Sequence, residues 1–241
     1  MNAKHDTLKA DPLAQTHEVF NQARALEDYN AYDNDTALRE AVARHGAGWA
    51  EDALSAHGAR TGSAEVIEWG FLANEHKPQF FSHDRQGYRV DLVKYHESYH
   101  RLMALGLESG MHSSPWANPK PGAHVARAAQ SYLQAQVDAG HGCPLTMTFA
   151  SVPSISLTPA LAKEWLPKIL NNAYDPRNVP HTEKQALTIG MGMTEKQGIA
   201  LERGVFPYAF GGFFAAVSAL AAAGYPAPHA APAAPVAILR C

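Results

Sequence analysis

The sequence predicts a fold that is all-α in the main, and three observations carry that expectation. From Thr36 to Leu170, apolar residues recur at helical spacing in successive segments that open on a capping residue or close on glycine or proline. Strand-type alternation is confined to two short stretches. Hydrophobic residues make up 46% of the 241 and charged residues 18%, which suffices to bury a core and excludes a wholly disordered chain.

Taken in order, residues 1–35 are polar, rich in Asn and Asp, and read as an extended or loop lead-in. Thr36 is placed as the N-cap of a first helix with Glu40 in its first turns, running to about His45 and stopped by Gly46. A second helix is expected from about Glu51 to His57, ended by Gly58. Ser63 caps a third, with Val66, Ile67, Gly70, Phe71 and Asn74 mostly on one face and Pro78 beyond its end. Between Ser82 and His96, turn signals at Asp84 and Gly87 precede alternation through Tyr88, Val90 and Leu92, which fits a short strand pair or a loop.

Helices resume at Glu97–Ser109, with Leu102, Leu105 and Leu107 inside, and at His124–Ala139. The latter sets Val125, Ala128, Ala129, Leu133 and Val137 along one side. Cys143–Leu157 is almost free of charge and is expected to be a buried helix crossing the core, bent near Pro153. Thr158–Leu170 gives one more helix, residues 171–180 a loop, and Ala186–Met193 a short apolar run with strand character.

Lys plus Arg is 20 and Asp plus Glu is 23, a net charge of −3 that supplies no overall pull toward nucleic acid or an anionic membrane. Cys143 and Cys241 cannot form a disulfide framework, and the first twenty residues hold no apolar run of the secretory-leader kind. Both features lead us to expect a cytoplasmic protein.

Two motifs carry chemistry. His96-Glu97-Ser98-Tyr99-His100 matches the H-E-x-x-H pattern, which on a helix brings two imidazoles to one face with Glu97 as base toward a metal-bound water. The extended form would need Gly and His where the chain has Met103 and Gly106, so no metal site is assigned and a zinc hydrolase ranks last. The second motif, Ile189 to Gly198, ends an apolar run in Met-Thr-Glu and a glycine-containing loop, which offers backbone N–H groups and a hydroxyl to a planar, polar ligand.

Longer segments in a fixed order give that second motif its meaning: Thr16–Gln22, Gly46–Trp49, Leu72–Asn74, Ala123–Gln130, Gln136–Ala150 and Ile189–Gly198. Through them the chain resembles the acyl-CoA dehydrogenase family, in its alkylation-response branch, from about Thr16 to Gly198. The resemblance implies a helical N-terminal domain over 36–185, then 186–198 as the first strand and flavin-binding loop of a middle β-domain. It implies FAD as cofactor, lined by Met191, Gly192, Met193, Thr194, Glu195, Lys196, Gln197 and Gly198. Thr194 would bond the flavin and neighbour the acyl substrate, with Met147, Thr148 and Phe149 near the same pocket. Relatives carry Pro after the first histidine of the H-x-x-x-H pair, a further argument against zinc. An acyl-CoA-like small molecule is the implied ligand and a homo-oligomer an implied assembly. The carboxylate base and the basic surface associated with DNA belong to a C-terminal helical bundle outside the resembling region. No catalytic residue is therefore assigned, and little or no dehydrogenase activity is expected of this chain alone. The alternative is a non-catalytic helical interaction module.

The family pattern continues Gly-Ser-Asp after Gly198, but here Ile199, Ala200 and Leu201 follow. Residues 199–241 are rich in Ala and Pro, with Glu202, Arg203 and Arg240 as their only charges. Val205–Tyr225 has the length of a membrane span, yet Pro207, its glycines and its alanines make it weakly hydrophobic, so no membrane association is expected. A helical tail covering the domain is a second reading. A reading-frame shift after Gly198, leaving a truncated family sequence and a 199–241 tail of arbitrary residues, accounts best for the composition.

Overall fold

The computed structural model describes residues 20–190. The expectations placed on Met191–Gly198 and on the tail from Ile199 lie outside the described residues. Within them the chain is mainly helical, as the periodicity requires. Its elements are α1 (Thr36–Arg44), a single turn at Gly48–Ala50, α2 (Glu51–Thr61), α3 (Ala64–Glu75), β1 (Gln79–His83) and β2 (Arg89–Lys94). There follow α4 (Glu97–Glu108), α5 (Ser114–Ala117), α6 (Ala123–Ala135), α7 (Gly142–Ser156), α8 (Pro159–Ile169) and a last turn at His181–Glu183. Helix α3 packs on α4, α2 on α6, and α7 on α8.

The start of α1 corrects the sequence reading. Asp35, not Thr36, is the N-cap, and its carboxylate accepts the Leu38 N–H at 2.9 Å. An anion there also meets the positive end of the helix dipole. Its other oxygen accepts the Tyr132 hydroxyl at 3.1 Å, which ties α1 to α6.

A second correction concerns Gly58, which lies inside α2 rather than ending it; the helix runs on to Thr61. The lead-in at 29–32 lies directly on this glycine. Ala31 N–H bonds the Gly58 carbonyl at 3.0 Å, and a Cβ at Gly58 would stand 2.5 Å from the Tyr32 nitrogen. Here glycine serves close backbone approach, not helix termination. Tyr32 thereby joins Val42, Leu54, Ala126, Ala129 and Leu133 in one buried cluster.

Helix α6 starts a residue earlier than expected and ends at Ala135; Ala129 and Leu133 are buried, but Ala128 is exposed and Ala126 takes its place inside. Helix α7 does not cross the core. Leu145, Thr148, Ser151, Val152 and Ile155 are buried, while Cys143, Pro153 and Leu157 face solvent. Pro153 is tolerated on that outer side. Two further clusters form around it: Val152, Ile155, Leu161, Ile169 and Leu187, and Met103, Leu107, Met111 and Leu145.

The 82–96 stretch resolves into an antiparallel hairpin whose first strand begins earlier, at Gln79. Phe81 faces Leu92 and His83 faces Arg89, so Val90 and Asp91 oppose the single residue Ser82. That is a β-bulge, and Asp91 takes a left-handed φ of 44° to make it. No residue of the hairpin is buried. The strand expected from Ala186 is not one over 186–190: Leu187 N–H bonds the Lys168 carbonyl at 3.1 Å and Ile189 N–H bonds Thr148 Oγ1 at 3.0 Å. The segment is extended and satisfied by helices instead of a ladder.

A buried polar knot joins α2, α3, α6 and the start of α7. His141 Nδ1 and the Asp138 carboxylate lie 2.9 Å apart, and Asn74 Nδ2 donates to Asp138 at 2.8 Å. His57 bonds the Gln130 backbone, and burial lowers its pKa to about 4. Burial also lowers that of His141, against the opposing pull of Asp138.

Candidate functional site

Met147, Thr148 and Phe149 occupy successive positions of α7 and meet three different surroundings. Met147 is half-buried. Thr148 is fully buried, and its hydroxyl donates to the Pro144 carbonyl at 2.7 Å while accepting the Ile189 N–H. One oxygen thus fastens the chain that leads into Met191 onto the middle of α7. This contact brings two of the sequence-marked stretches together, 147–149 and the run toward 191. The loop Met191–Gly198, with Thr194, lies outside the described residues.

Phe149 sits in a nest of rings and charge. Trp116 of α5 stacks obliquely at 4.9 Å between centroids, and His124 meets it edge-on at 5.7 Å. The Trp116 indole N–H donates to the Phe149 carbonyl at 2.9 Å. The Arg127 guanidinium carbon stands over the same ring, 3.8 Å from its centroid. Arg127 Nε donates to the Met111 carbonyl at 2.7 Å, and no carboxylate pairs with it among the described residues. Burial lowers its pKa, and the cation is held by a π-face, the Met111 carbonyl and, at 3.4 Å, the Thr146 hydroxyl oxygen.

Sequence reasoning missed Trp116 and Arg127 as members of this group. Arg127 lies within the Ala123–Gln130 segment, where a lone long cation among small residues was the available signal. Trp116 belongs to a single turn, α5, too short for periodicity to mark.

The H-E-x-x-H residues go to separate tasks. His96 is the N-cap of α4, its Nδ1 accepting the Ser98 N–H at 3.2 Å and its ring stacked on His76 at 4.5 Å. Glu97 reaches Arg101 at 3.4 Å, and His100 Nδ1 lies 2.7 Å from the Tyr174 hydroxyl. A histidine at the cap precedes the helical turns, so the two-imidazole face that the motif needs is not built. Among the described residues, no three His, Cys, Asp or Glu side chains are grouped to hold a metal ion.

Comparison with known proteins adds three findings. The family described as Adaptive response protein AidB N-terminal domain matches residues 21–176. A curated Escherichia coli (strain K12) protein, "Putative acyl-CoA dehydrogenase AidB", is 46% identical over 186 residues, covering 76% of this chain and 34% of its own length. The chain therefore spans about a third of that relative. Among solved structures, Caenorhabditis elegans ACDH-11 in complex with C11-CoA superposes with a TM-score of 0.60 at 21% identity, over 79% of this chain and 33% of that one. The apo-form of Bd2924 gives 0.60 at 22%, over 73% and 34%. At those identities the likeness is one of fold.

Proposed function

The chain belongs to the adaptive response protein AidB N-terminal domain family, and from that premise we propose that it builds the helical, acyl-facing wall of an acyl-CoA dehydrogenase-type flavin site. The observation that carries this reading is the bond from Ile189 N–H to Thr148 Oγ1. It holds the stretch that precedes Met191 against α7, the helix bearing Met147 and Phe149, which supports a reading in which both contribute to one site.

The residues suit a planar, polar cofactor. Thr188, Ile189 and Gly190 are half-buried and held by two hydrogen bonds from their own segment, a fixed base for a loop whose donors are backbone N–H groups and the Thr194 hydroxyl. FAD, when bound, would accept the hydride that leaves the β-carbon of an acyl thioester. This chain's share would be positioning: Met191 to Gly198 would hold the ring, Thr194 would bond it and neighbour the acyl group, and Met147 and Phe149 would keep water from the reacting carbons. The proton-abstracting carboxylate belongs to the part of the relatives that this chain does not span, so turnover requires that part.

A titration with FAD, read by flavin fluorescence and absorbance, tests the assignment. Binding weakened by Thr194→Ala and by Thr148→Val is expected, with no bleaching of the flavin when an acyl-CoA is added. Bleaching would overturn the division of labour; a flat titration would overturn the site.

Exposed apolar side chains favour a second reading, a helical interaction module. Phe71 is 69% exposed, Phe80 63% and Leu157 71%, apolar surface that a covering partner could bury. Sedimentation as a clean monomer that binds no hydrophobic dye would count against it.

A further inference from the structure

We propose that the junction of α2, α6 and the start of α7 is a built hydration site, in which resident internal water donates hydrogens to the Nε2 atoms of His57 and His141. The site is independent of the flavin reading, and none of Met147, Thr148 or Phe149 belongs to it.

Both imidazoles are buried, His57 at 5% exposure and His141 at 0%, and in each the Nε2 has no hydrogen-bond partner among the described residues. The other nitrogen of each ring is committed. His57 donates to the Gln130 carbonyl, and His141 Nδ1 donates to the Asp138 carboxylate at 2.9 Å. Burial lowers the pKa of both rings, so at neutral pH each is uncharged and carries a single N–H, the one already used. Each Nε2 is therefore a bare lone pair, its direction fixed by the acceptor behind the ring.

The surroundings are short of donors, not of acceptors. Gln134 Nε2 donates to the Leu102 carbonyl at 2.9 Å, which turns its Oε1 into a third buried acceptor without a partner. Ser131 Oγ is a fourth unpartnered atom and brings one hydrogen. One hydroxyl cannot serve three lone pairs, so no rotation of these side chains satisfies the group.

These atoms also share a place. Gln130, Ser131, Gln134 and Asp138 follow at i, i+1, i+4 and i+8, along one face of α6 and the turn after it. His57 is fastened at the Gln130 end of that face and His141 at the Asp138 end, and the two rings lie within electrostatic reach, His141 opposing a proton on His57. Water brings two hydrogens for lone pairs and accepts a hydroxyl, about the usual complement of bonds for a buried molecule. A metal ion finds too few ligands, since no three His, Cys, Asp or Glu are grouped to hold one among the described residues. A cationic guest would find the Asp138 carboxylate already taken by His141 and Asn74.

NMR on the full chain at pH 7.5 tests the site. Persistent water-to-amide NOEs are expected at Ser131 and His141, and the imidazole nitrogen shifts should show both rings with the proton on Nδ1 and a hydrogen-bonded Nε2. His57→Phe, which exchanges a bare acceptor for an apolar ring, should abolish the Ser131 NOE while circular dichroism stays unchanged. Ser131→Ala removes a hydroxyl able to relay magnetisation and should leave the His141 NOE in place. The wild-type shifts decide even where a variant fails to fold. Nε2 shifts of a free lone pair, a proton on either Nε2, absent NOEs, or stoichiometric metal retained through dialysis would each overturn the proposal.

Discussion

Thr148 shows how much of this molecule hangs on single polar atoms. Its hydroxyl oxygen serves Pro144 and Ile189 at once, and it is fully buried. Thr148→Val keeps the shape and leaves the Ile189 N–H without its acceptor, so a loss of about 1–3 kcal/mol is expected in urea denaturation. Amide exchange at Ile189 should speed up while that of α6 does not; equal exchange in both forms would remove Thr148 from the role given to it. Asp35 is a second such atom group, capping α1 and receiving Tyr132. Asp35→Ala should cost about 1 kcal/mol. Much of that loss should persist in a Tyr132→Phe background, since the Leu38 N–H is the stronger partner.

Elements differ in how far the sequence announced them. Helix α3 was legible because cap, apolar spacing and the following proline agree in Ser63–Pro78, and α4 and α8 because apolar residues recur at helical spacing through Glu97–Ser109 and Thr158–Leu170. Gly58 was misread because sequence carries the helix-breaking tendency of glycine but not the chain that lies upon it. Ala in its place would favour helix by about 1 kcal/mol, yet its Cβ would meet Tyr32 and Asn30 at 2.5–2.6 Å. Gly58→Ala is therefore expected to destabilise by about 2 kcal/mol or more, because backbone cannot yield as a side chain does; a stabilised variant in thermal melting would mean that the 29–32 segment is readily displaced. The run at Ala186 was read as strand because apolar alternation is silent about what accepts its hydrogen bonds, and here helices do. Of the candidate site, the α7 residues were proposed through resemblance, whereas Trp116 and Arg127 depend on a tertiary meeting of α5, α6 and α7 that no local pattern encodes.

At the scale of the whole molecule, three apolar clusters and a buried polar knot share the work of cohesion among the described residues, and buried histidines make the fold sensitive to acid. Burial lowers the pKa of His57 in the knot, and of His112, which lies outside it with its Nε2 3.2 Å from the Asn171 carbonyl, to about 4, against 6.5 for an ordinary imidazole. Between those values the unfolded chain binds protons that the folded one refuses. Stability is then full above pH 6.5 and falls as pH drops toward 4, by roughly 1.4 kcal/mol per pH unit for each histidine. Urea midpoints measured from pH 7.5 to 4.5 should fall along that slope, and His57→Gln should flatten it; a level profile would show that these imidazoles remain solvated. No helix among the described residues is long and apolar enough to cross a membrane. The attachment of 186–190 has, finally, a mechanical meaning. Its two bonds reach different helices and lie one behind the other along the chain, Ile189 to α7 and Leu187 to the end of α8. Tension applied at Gly190 loads the Ile189 bond first and the Leu187 bond only after it gives, so the segment peels instead of shearing. A pulling experiment should find it released at low force in two small steps, with the helices behind it still folded.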